Sequence, residues 1–468
     1  MTTQPSAAAS DRVPAYPYPP DAVRRRQQRG WYFYDFANST FSTTVITLFL
    51  GPYLTDVAQS AANPAGFVQF LGLDIRATSV FAFAAGISVL LQVLVLPLVG
   101  AIADRTERKR HLLGAFAFVG ALATCLMFFI QGDNWLYGVL ILLIANVAFG
   151  ASIVVYNSFL PNIATPDERD RVSSRGWAMG YVGGAILLVL NLAFFLSSES
   201  LGVSKADAVR FCLLSAGIWW AGFTLIPYKV LASVTPRPKD TSAGDAPGSS
   251  FKQLFRTLGG MRAFPVTLTF LIAYLLYNDG VQTVIALSAT YGSEELGLGE
   301  TTLIVAILIV QVIAIVGALT LGRLAGSFGA KNVVLGSLVL WTLTIVIAFF
   351  LPKGSSTLFY VLAALIGFVL GGSQALSRSL FSQLIPSGKE AEYFGVYEIS
   401  ERGTSWIGPI LFAVVNQITG SYRLALIALV VFFVVGGALL LTVNVRRGIE
   451  EAGNVVPASL GGPVGEKV

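Results

Sequence analysis

Two carboxylates in this 468-residue chain sit inside apolar runs long enough to cross a bilayer. Asp35 lies in WYFYDFANSTFSTT and Asp279 in AYLLYNDGVQTV. An acid inside a membrane is expensive, so each is a functional candidate by default. Low dielectric disfavours the charged form of a carboxylate, which makes both candidate proton acceptors. Asn38, Ser39 and Ser42 follow Asp35 at helical spacing and place a polar stripe on one helix face. Tyr274, Asn278 and Gln282 surround Asp279, while Asn146, Tyr156, Asn157 and Gln374 add hydrogen-bonding groups in other runs. The set reads as a pathway for a small polar solute, with the proton as candidate coupling ion. For Asp35 the competing reading is an ion pair with nearby Arg29 at the interface.

A second set of residues reads as a gate. GAIADRTERKR, from Gly100 to Arg110, joins two apolar runs and supplies Gly100, Asp104, Arg105 and Arg108. A turn this dense in cations cannot lie in lipid, so it marks one membrane face. GGSQALSRSLFSQLIP supplies Ser377 and Arg378, and EYFGVYEISERGTSWIGP supplies Glu398, Glu401 and Arg402. Glu398 and Arg402 are four apart, a spacing that favours an ion pair on one helix face. These groups read as a cytoplasmic gate or folding network.

The elements that must position these residues are membrane helices. Hydrophobic residues make up 54% of the chain and charged residues 12%, against roughly 25% charged in soluble domains. Mean hydropathy is +0.70. Twelve runs approach the roughly 20 residues that cross a bilayer as helix. They lie near 32–56, 78–103, 111–131, 135–158, 176–197, 209–230, 264–290, 302–326, 331–351, 357–384, 393–419 and 422–446. They are too long and continuous for barrel strands. The expected fold is an all-α integral membrane protein of twelve transmembrane helices.

Cation placement orients it. With the termini and even-numbered junctions on one side, that side holds 26 of the 31 Lys and Arg residues, leaving Arg76, Lys205, Arg210, Lys353 and Arg423 opposite. The excess puts both termini in the cytoplasm. The net charge of +5 then reflects orientation rather than nucleic-acid binding. Trp31, Trp135 and Trp177 near run ends read as interfacial belts. Cys125 and Cys212 lack a pairing signature, and the single histidine, His111, argues against a multi-histidine metal site.

A degenerate repeat divides the chain. Gly100-Ala-Ile-Ala103, Lys109 and Gly114 are echoed by Gly322-Arg-Leu-Ala325, Lys331 and Gly336, an offset of 222 residues. Pro166, Arg169 and Gly183 are echoed by Pro386, Lys389 and Gly403 at an offset of 220. In the second copy Gly326 stands where Asp104 would fall. The expected organisation is a disordered cytoplasmic tail 1–30, a six-helix half 31–230, a polar cytoplasmic linker 231–263, a second half 264–446 and a cytoplasmic tail 447–468, disordered after 452. Paired halves of this kind bind solute at the midplane and rock about it.

The Gly100–Arg110 loop resembles the loop between helices two and three of major facilitator superfamily transporters, with Glu107 where the usual pattern has glycine. WYFYDFANSTF, YNSFLPNIATPDERDRVSSRGWAMGYVGG, YNDGVQT and GGSQALSRSLFSQLIP together resemble the vacuole-effluxer-like branch, over residues 30–446. The resemblance implies a twelve-helix facilitator whose fungal members are linked to export of neutral amino acids from the vacuole. It also implies that Asp104 faces the cytoplasmic start of helix eleven, where a helix N-terminus favours a carboxylate.

Among functions, the chain lacks the GxxxxGK[ST] loop of a nucleotide-driven pump, and no acid–base or nucleophile constellation marks an enzyme. No cofactor or nucleotide is expected; energy would come from an ion or solute gradient. Neutral polar stripes fit a zwitterionic or polyhydroxy solute. Efflux of a neutral amino acid across a plasma membrane is the leading reading. A sugar or drug carrier on the same scaffold, or a non-transporting membrane receptor or scaffold, are the alternatives.

Overall fold

The computed structural model describes residues 18–70, 72–235, 250–402 and 407–462, excluding the side chains of 250–254 and 402. Ten helices among them are long and apolar enough to cross a membrane. They are span two (Ala77–Arg105), three (Lys109–Phe129), four (Trp135–Ile163), five (Pro166–Ser197), six (Lys205–Ser233), seven (Pro265–Glu295), eight (Glu300–Phe328), nine (Ala330–Phe349), ten (Ser356–Gln383) and twelve (Tyr422–Thr442). Span one is helical through Asp21–Thr40, Phe41–Phe49 and Leu50–Ser60. Span eleven comprises Glu390–Arg402 and Ile407–Thr419, on either side of residues 403–406. The series is two six-helix halves of an all-α membrane fold.

Pairing of the helices repeats between the halves. Span one packs on spans five and six, and span seven on span twelve. The halves meet where span two packs on span eleven and span five on span eight. These are one contact used twice, because span eight is the repeat counterpart of span two and span eleven that of span five. Lipid supplies no hydrophobic drive for helix association, so close approach at small residues takes its place. A Cβ at Gly183 would overlap the Phe36 backbone, and one at Gly317 the Phe368 carbonyl. Large apolar side chains such as Leu90, Leu122, Val339 and Leu441 instead point outward, each at least 60% exposed.

Span one changes pitch beside the polar stripe. FSTTVITLF, Phe41–Phe49, is π-helical, a form that often marks functional segments. Its wider turn is accompanied by a bond from the Thr47 hydroxyl to the Ser42 carbonyl at 2.8 Å. Between spans one and two, Phe67–Phe70 and Leu73–Arg76 form an antiparallel hairpin with Val68 opposite Ile75.

Three expected boundaries are corrected. Span one starts at Asp21, so residues 21–30 are helix rather than disordered tail. Polar residues hold this extension by tertiary contacts: Gln27 donates to the Ser233 carbonyl at 3.0 Å, Gln28 to the Ile163 carbonyl at 2.9 Å, and Arg24 pairs with Glu168 at 2.8 Å. Span five starts at Pro166, not 176, because Thr165 and Glu168 form a capping box. The tail after 452 is also ordered as far as residue 462: Asn454 donates to the Gln383 and Ile385 carbonyls at 2.9 and 2.7 Å. Within the linker, Ser250–Met261 is a helix. The expected disorder of residues 1–17 falls outside the described residues.

Candidate functional site: a polar lock between the halves

Asp35 and Arg378 form the centre of the site. Asp35 is carried on span one and Arg378 on span ten, and both are almost fully buried. Arg378 donates from Nη1 and Nη2 to Asp35 Oδ2 at 3.3 and 3.2 Å. Its other donors are satisfied as well: Nε bonds the Ser173 hydroxyl at 2.9 Å, Nη2 the Ser173 carbonyl at 2.9 Å, and Nη1 the Asn157 side-chain carbonyl at 3.3 Å. Tyr156 donates its hydroxyl to Asp35 Oδ2 at 2.7 Å. The guanidinium also lies over aromatic faces, 4.8 Å from Trp31, 5.4 Å from Trp177 and 5.7 Å from Tyr156. A buried ion pair survives desolvation only with such full hydrogen bonding, and cation–π contacts add to it.

This geometry overturns two expectations. Asp35 pairs with Arg378 of the other half rather than with Arg29. Trp31 and Trp177 are not interfacial residues: Trp31 is fully buried, stacks on Tyr156 at 4.3 Å and donates to the Tyr156 carbonyl at 3.0 Å, and Trp177 turns its face to Arg378. Gly176 makes room for the cluster, since a Cβ there would lie 2.7 Å from Asp35 Oδ2 and 3.0 Å from Arg378 Nη2.

Further ties surround this pair. Asn157 donates to Glu398 on span eleven at 2.9 Å, so Glu398 is engaged across the halves; the Arg402 side chain expected as its partner lies outside the described residues. Ser173 donates to the Ala375 carbonyl at 2.7 Å, Arg169 to the Ser382 carbonyl at 2.8 Å, and Ser379 to Asp170. At the loop, Asp104 accepts from the backbone N–H groups of Ala391 and Glu392 at 3.0 and 2.8 Å. That carboxylate caps the exposed N–H groups of span eleven, where the helix dipole is positive. Lys109 pairs with Asp104 at 2.8 Å and lies 3.9 Å from Glu390. Gly100 permits the approach, because a Cβ there would overlap the Ala391 carbonyl. Arg105 is half-buried in this loop, and Arg108 is exposed.

The remaining pathway candidates fall into separate neighbourhoods. Tyr274 donates to Glu401 at 3.3 Å and stacks on Tyr397 at 4.2 Å, and Asn278 donates to the Glu401 carbonyl at 3.2 Å. Asp279 is buried beside Gly408 of span eleven, whose Cβ position lies 3.0 Å from Oδ2. Asn146 is tied to Ser88 of span two at 2.6 Å. Asn38 and Gln374 are buried, while Ser39, Ser42 and Gln282 are partly exposed. Ser39 lies against span five, close to the Cβ position of Gly180 at 2.6 Å. Sequence reasoning missed Ser173, Gly176, Asp170 and Ser379; the small residues of YNSFLPNIATPDERDRVSSRGWAMGYVGG and the serines of GGSQALSRSLFSQLIP were the available signal.

All these ties between the halves lie toward the face where both ends of the described chain emerge, since Arg24 reaches Glu168 and Ala458 reaches Asp167 there. Two six-helix halves, closed on one face by a polar lock, define a major facilitator superfamily transporter. The fold agrees with solved members of that superfamily. A bacterial homologue of the iron transporter ferroportin in its outward-facing state superimposes with a TM-score of 0.63 at 16% identity, covering 90% of this chain and 98% of that one. The transporter FucP in its outward conformation superimposes with a TM-score of 0.66 at 12% identity, covering 89% and 98%.

Residues 23–453 match the family described as vacuole effluxer Atg22 like, and the chain belongs to that family. It is 32% identical over 419 residues to the MFS-type transporter YxiO of Bacillus subtilis, covering 89% of this chain and 94% of YxiO. It is 25% identical over 562 aligned positions to autophagy-related protein 22-1 of Penicillium rubens, covering 94% of each. It is a multi-pass membrane protein whose relatives move small solutes.

Proposed function

We propose that this protein exports a neutral amino acid across a plasma membrane by alternating access, with both termini and the 231–263 linker in the cytoplasm. The observation that carries this reading is the one-sided distribution of the ties. Asp104 with Ala391 and Glu392, Arg378 with Asp35, and Asn157 with Glu398 all seal the terminal side. A carrier that rocks about a midplane site must break these contacts to open inward and remake them to open outward. The cation bias of 26 to 5 supports the cytoplasmic assignment of that side. Buried Asp279, on span seven, is the group we assign to proton exchange.

Solute choice rests on chemistry and on kinship with the effluxer family. With Asp35 engaged by Arg378, the polar groups left on spans one and seven are mainly neutral amides and hydroxyls such as Asn38, Ser39, Ser42 and Gln282, which suit a net-neutral polar solute. Purified protein in liposomes, loaded in turn with labelled neutral amino acids and sugars, tests this. Saturable amino-acid flux enhanced by a proton gradient is expected. Flux of sugars alone would redirect the substrate assignment to polyhydroxy solutes.

A further inference from the structure

The repeat leaves one contact unmatched. In the first half, Asp104 ties its loop to the N-terminus of span eleven. The equivalent loop of the second half, between spans eight and nine, has Gly326 at that position, with open space around it. Its counterpart target, the start of span five, is already capped by Thr165 and Glu168. Among the described residues no hydrogen bond from the span eight–nine loop replaces the acid; the start of span five is tied across the halves through Arg169 and Asp170 to span ten, and through Asp167 to the chain beyond span twelve.

We propose that the C-terminal segment 445–462 is a strap that holds the terminal-side mouth closed, supplying on the span five side the tie that Asp104 supplies on the span eleven side. The strap leaves span twelve through Asn444, which caps the short helix Val445–Glu451. It is then fixed to the second half: Asn454 bonds the Gln383 and Ile385 carbonyls, and Val456 and Leu460 pack on the second-half core. Its far end crosses to the first half, where the Ala458 N–H donates to Asp167 Oδ1 at 2.7 Å. Gly453 and Gly461 make the turns, with φ of 70° and 77°, a region L-residues with a Cβ enter at a cost.

A cavity of about 470 Å³ lies under the strap, lined in part by Lys331, Asn332, Gln383, Arg446 and Ser459. Pro457, Ser459 and Leu460 of the strap line this hollow together with apolar Phe328, Leu441 and Val443. The Ala458–Asp167 bond itself lies exposed at the surface, which suits a tie that must release in each cycle.

The proposal rests on the alternating-access reading. Its test uses spin labels at Arg108→Cys and Ser327→Cys, both exposed and on opposite halves, in a Cys125→Ala, Cys212→Ala background. Removing residues 452–468 should raise the ratio of long to short distances about fivefold, the scale of a lost hydrogen-bond tie or two. Asp167→Ala, with the strap intact, should raise it in the same direction, whereas Asp167→Asn, which keeps an acceptor, should not. An unchanged distribution in the truncated chain overturns the proposal, as does a shift on truncation that Asp167→Ala fails to reproduce. Asp104→Asn in the same labelled background keeps the two ideas apart: a shift there alone would sink the strap and leave alternating access standing.

Discussion

The guanidinium of Arg378 holds the carboxylate of Asp35 at 3.2 Å across 343 residues of chain, a buried contact that joins the two halves. A charge that local sequence assigns to the solute pathway thereby becomes half of a lock. Removing either partner leaves the other buried and unpaired, a loss of about 3–5 kcal/mol. Arg378→Ala should therefore lower the thermal midpoint of the detergent-solubilised protein sharply. Asp35→Asn with Arg378→Met should recover much of that stability while remaining inactive in flux. A double-variant loss equal to the sum of the two single-variant losses would mean the pair is not energetically coupled.

Asp104→Asn keeps the shape of the side chain but discards its charge at the start of span eleven and beside Lys109. Hydrogen bonds to charged groups contribute about 1.5–3 kcal/mol. The open-to-closed ratio on the terminal side should rise about tenfold or more, read as paired-label distances between Arg108 and Ser327 positions. Solute affinity measured from the opposite side should change little. Normal distances with normal flux would reduce the loop to an orientation signal.

Gly176→Ala tests whether the lock depends on close approach. The added methyl carbon would sit 2.7 Å from Asp35 Oδ2 and 2.8 Å from Trp31. Asp35 and Trp31 belong to the same half as Gly176, and only Arg378 reaches it across the seam, at 3.0 Å, so the substitution should push Asp35 and Arg378 out of register and disfavour the closed mouth. Distances should lengthen at nearly unchanged expression and helix content. A variant that keeps wild-type distances would show that the cluster yields around the methyl group.

Helices and their polar faces were legible from sequence because hydropathy and spacing are local. The twelve runs follow from apolar windows, and Asn38, Ser39 and Ser42 follow Asp35 by helical period. The lock was not legible. Arg378 lies in a serine-rich run with no acid at helical spacing that marks a partner, and its ligands Asp35, Asn157 and Ser173 come from three helices of the other half. Trp31 reads as a belt residue because it begins an apolar run. Only the extension of span one back to Asp21, held by Gln27 and Gln28, carries it into the interior. Polar termini look unstructured for the same reason: their order comes from distant carbonyls.

Asp279→Asn preserves size and hydrogen bonding but cannot titrate. Flux driven by a pH gradient should fall to the level of gradient-free exchange, while equilibrium solute binding persists. Full gradient-driven flux in this variant would move proton coupling to another group or make the protein a uniporter.

Orientation is open to a direct chemical check. In the cysteine-free background, a cysteine at exposed Asp133 should react with an impermeant maleimide in intact cells, and one at Arg108 only after permeabilisation. The reverse pattern would invert the assignment of the terminal face to the cytoplasm.

The central claim is that the halves must part on the terminal side in every cycle. Asp170 and Ser379, whose side chains hydrogen-bond across that seam, allow it to be tied shut. Asp170→Cys with Ser379→Cys, in the background lacking Cys125 and Cys212, should transport when reduced, stop when a disulfide or short bifunctional reagent links the pair, and resume after cleavage of the link. Undiminished flux through fully cross-linked protein would contradict the account.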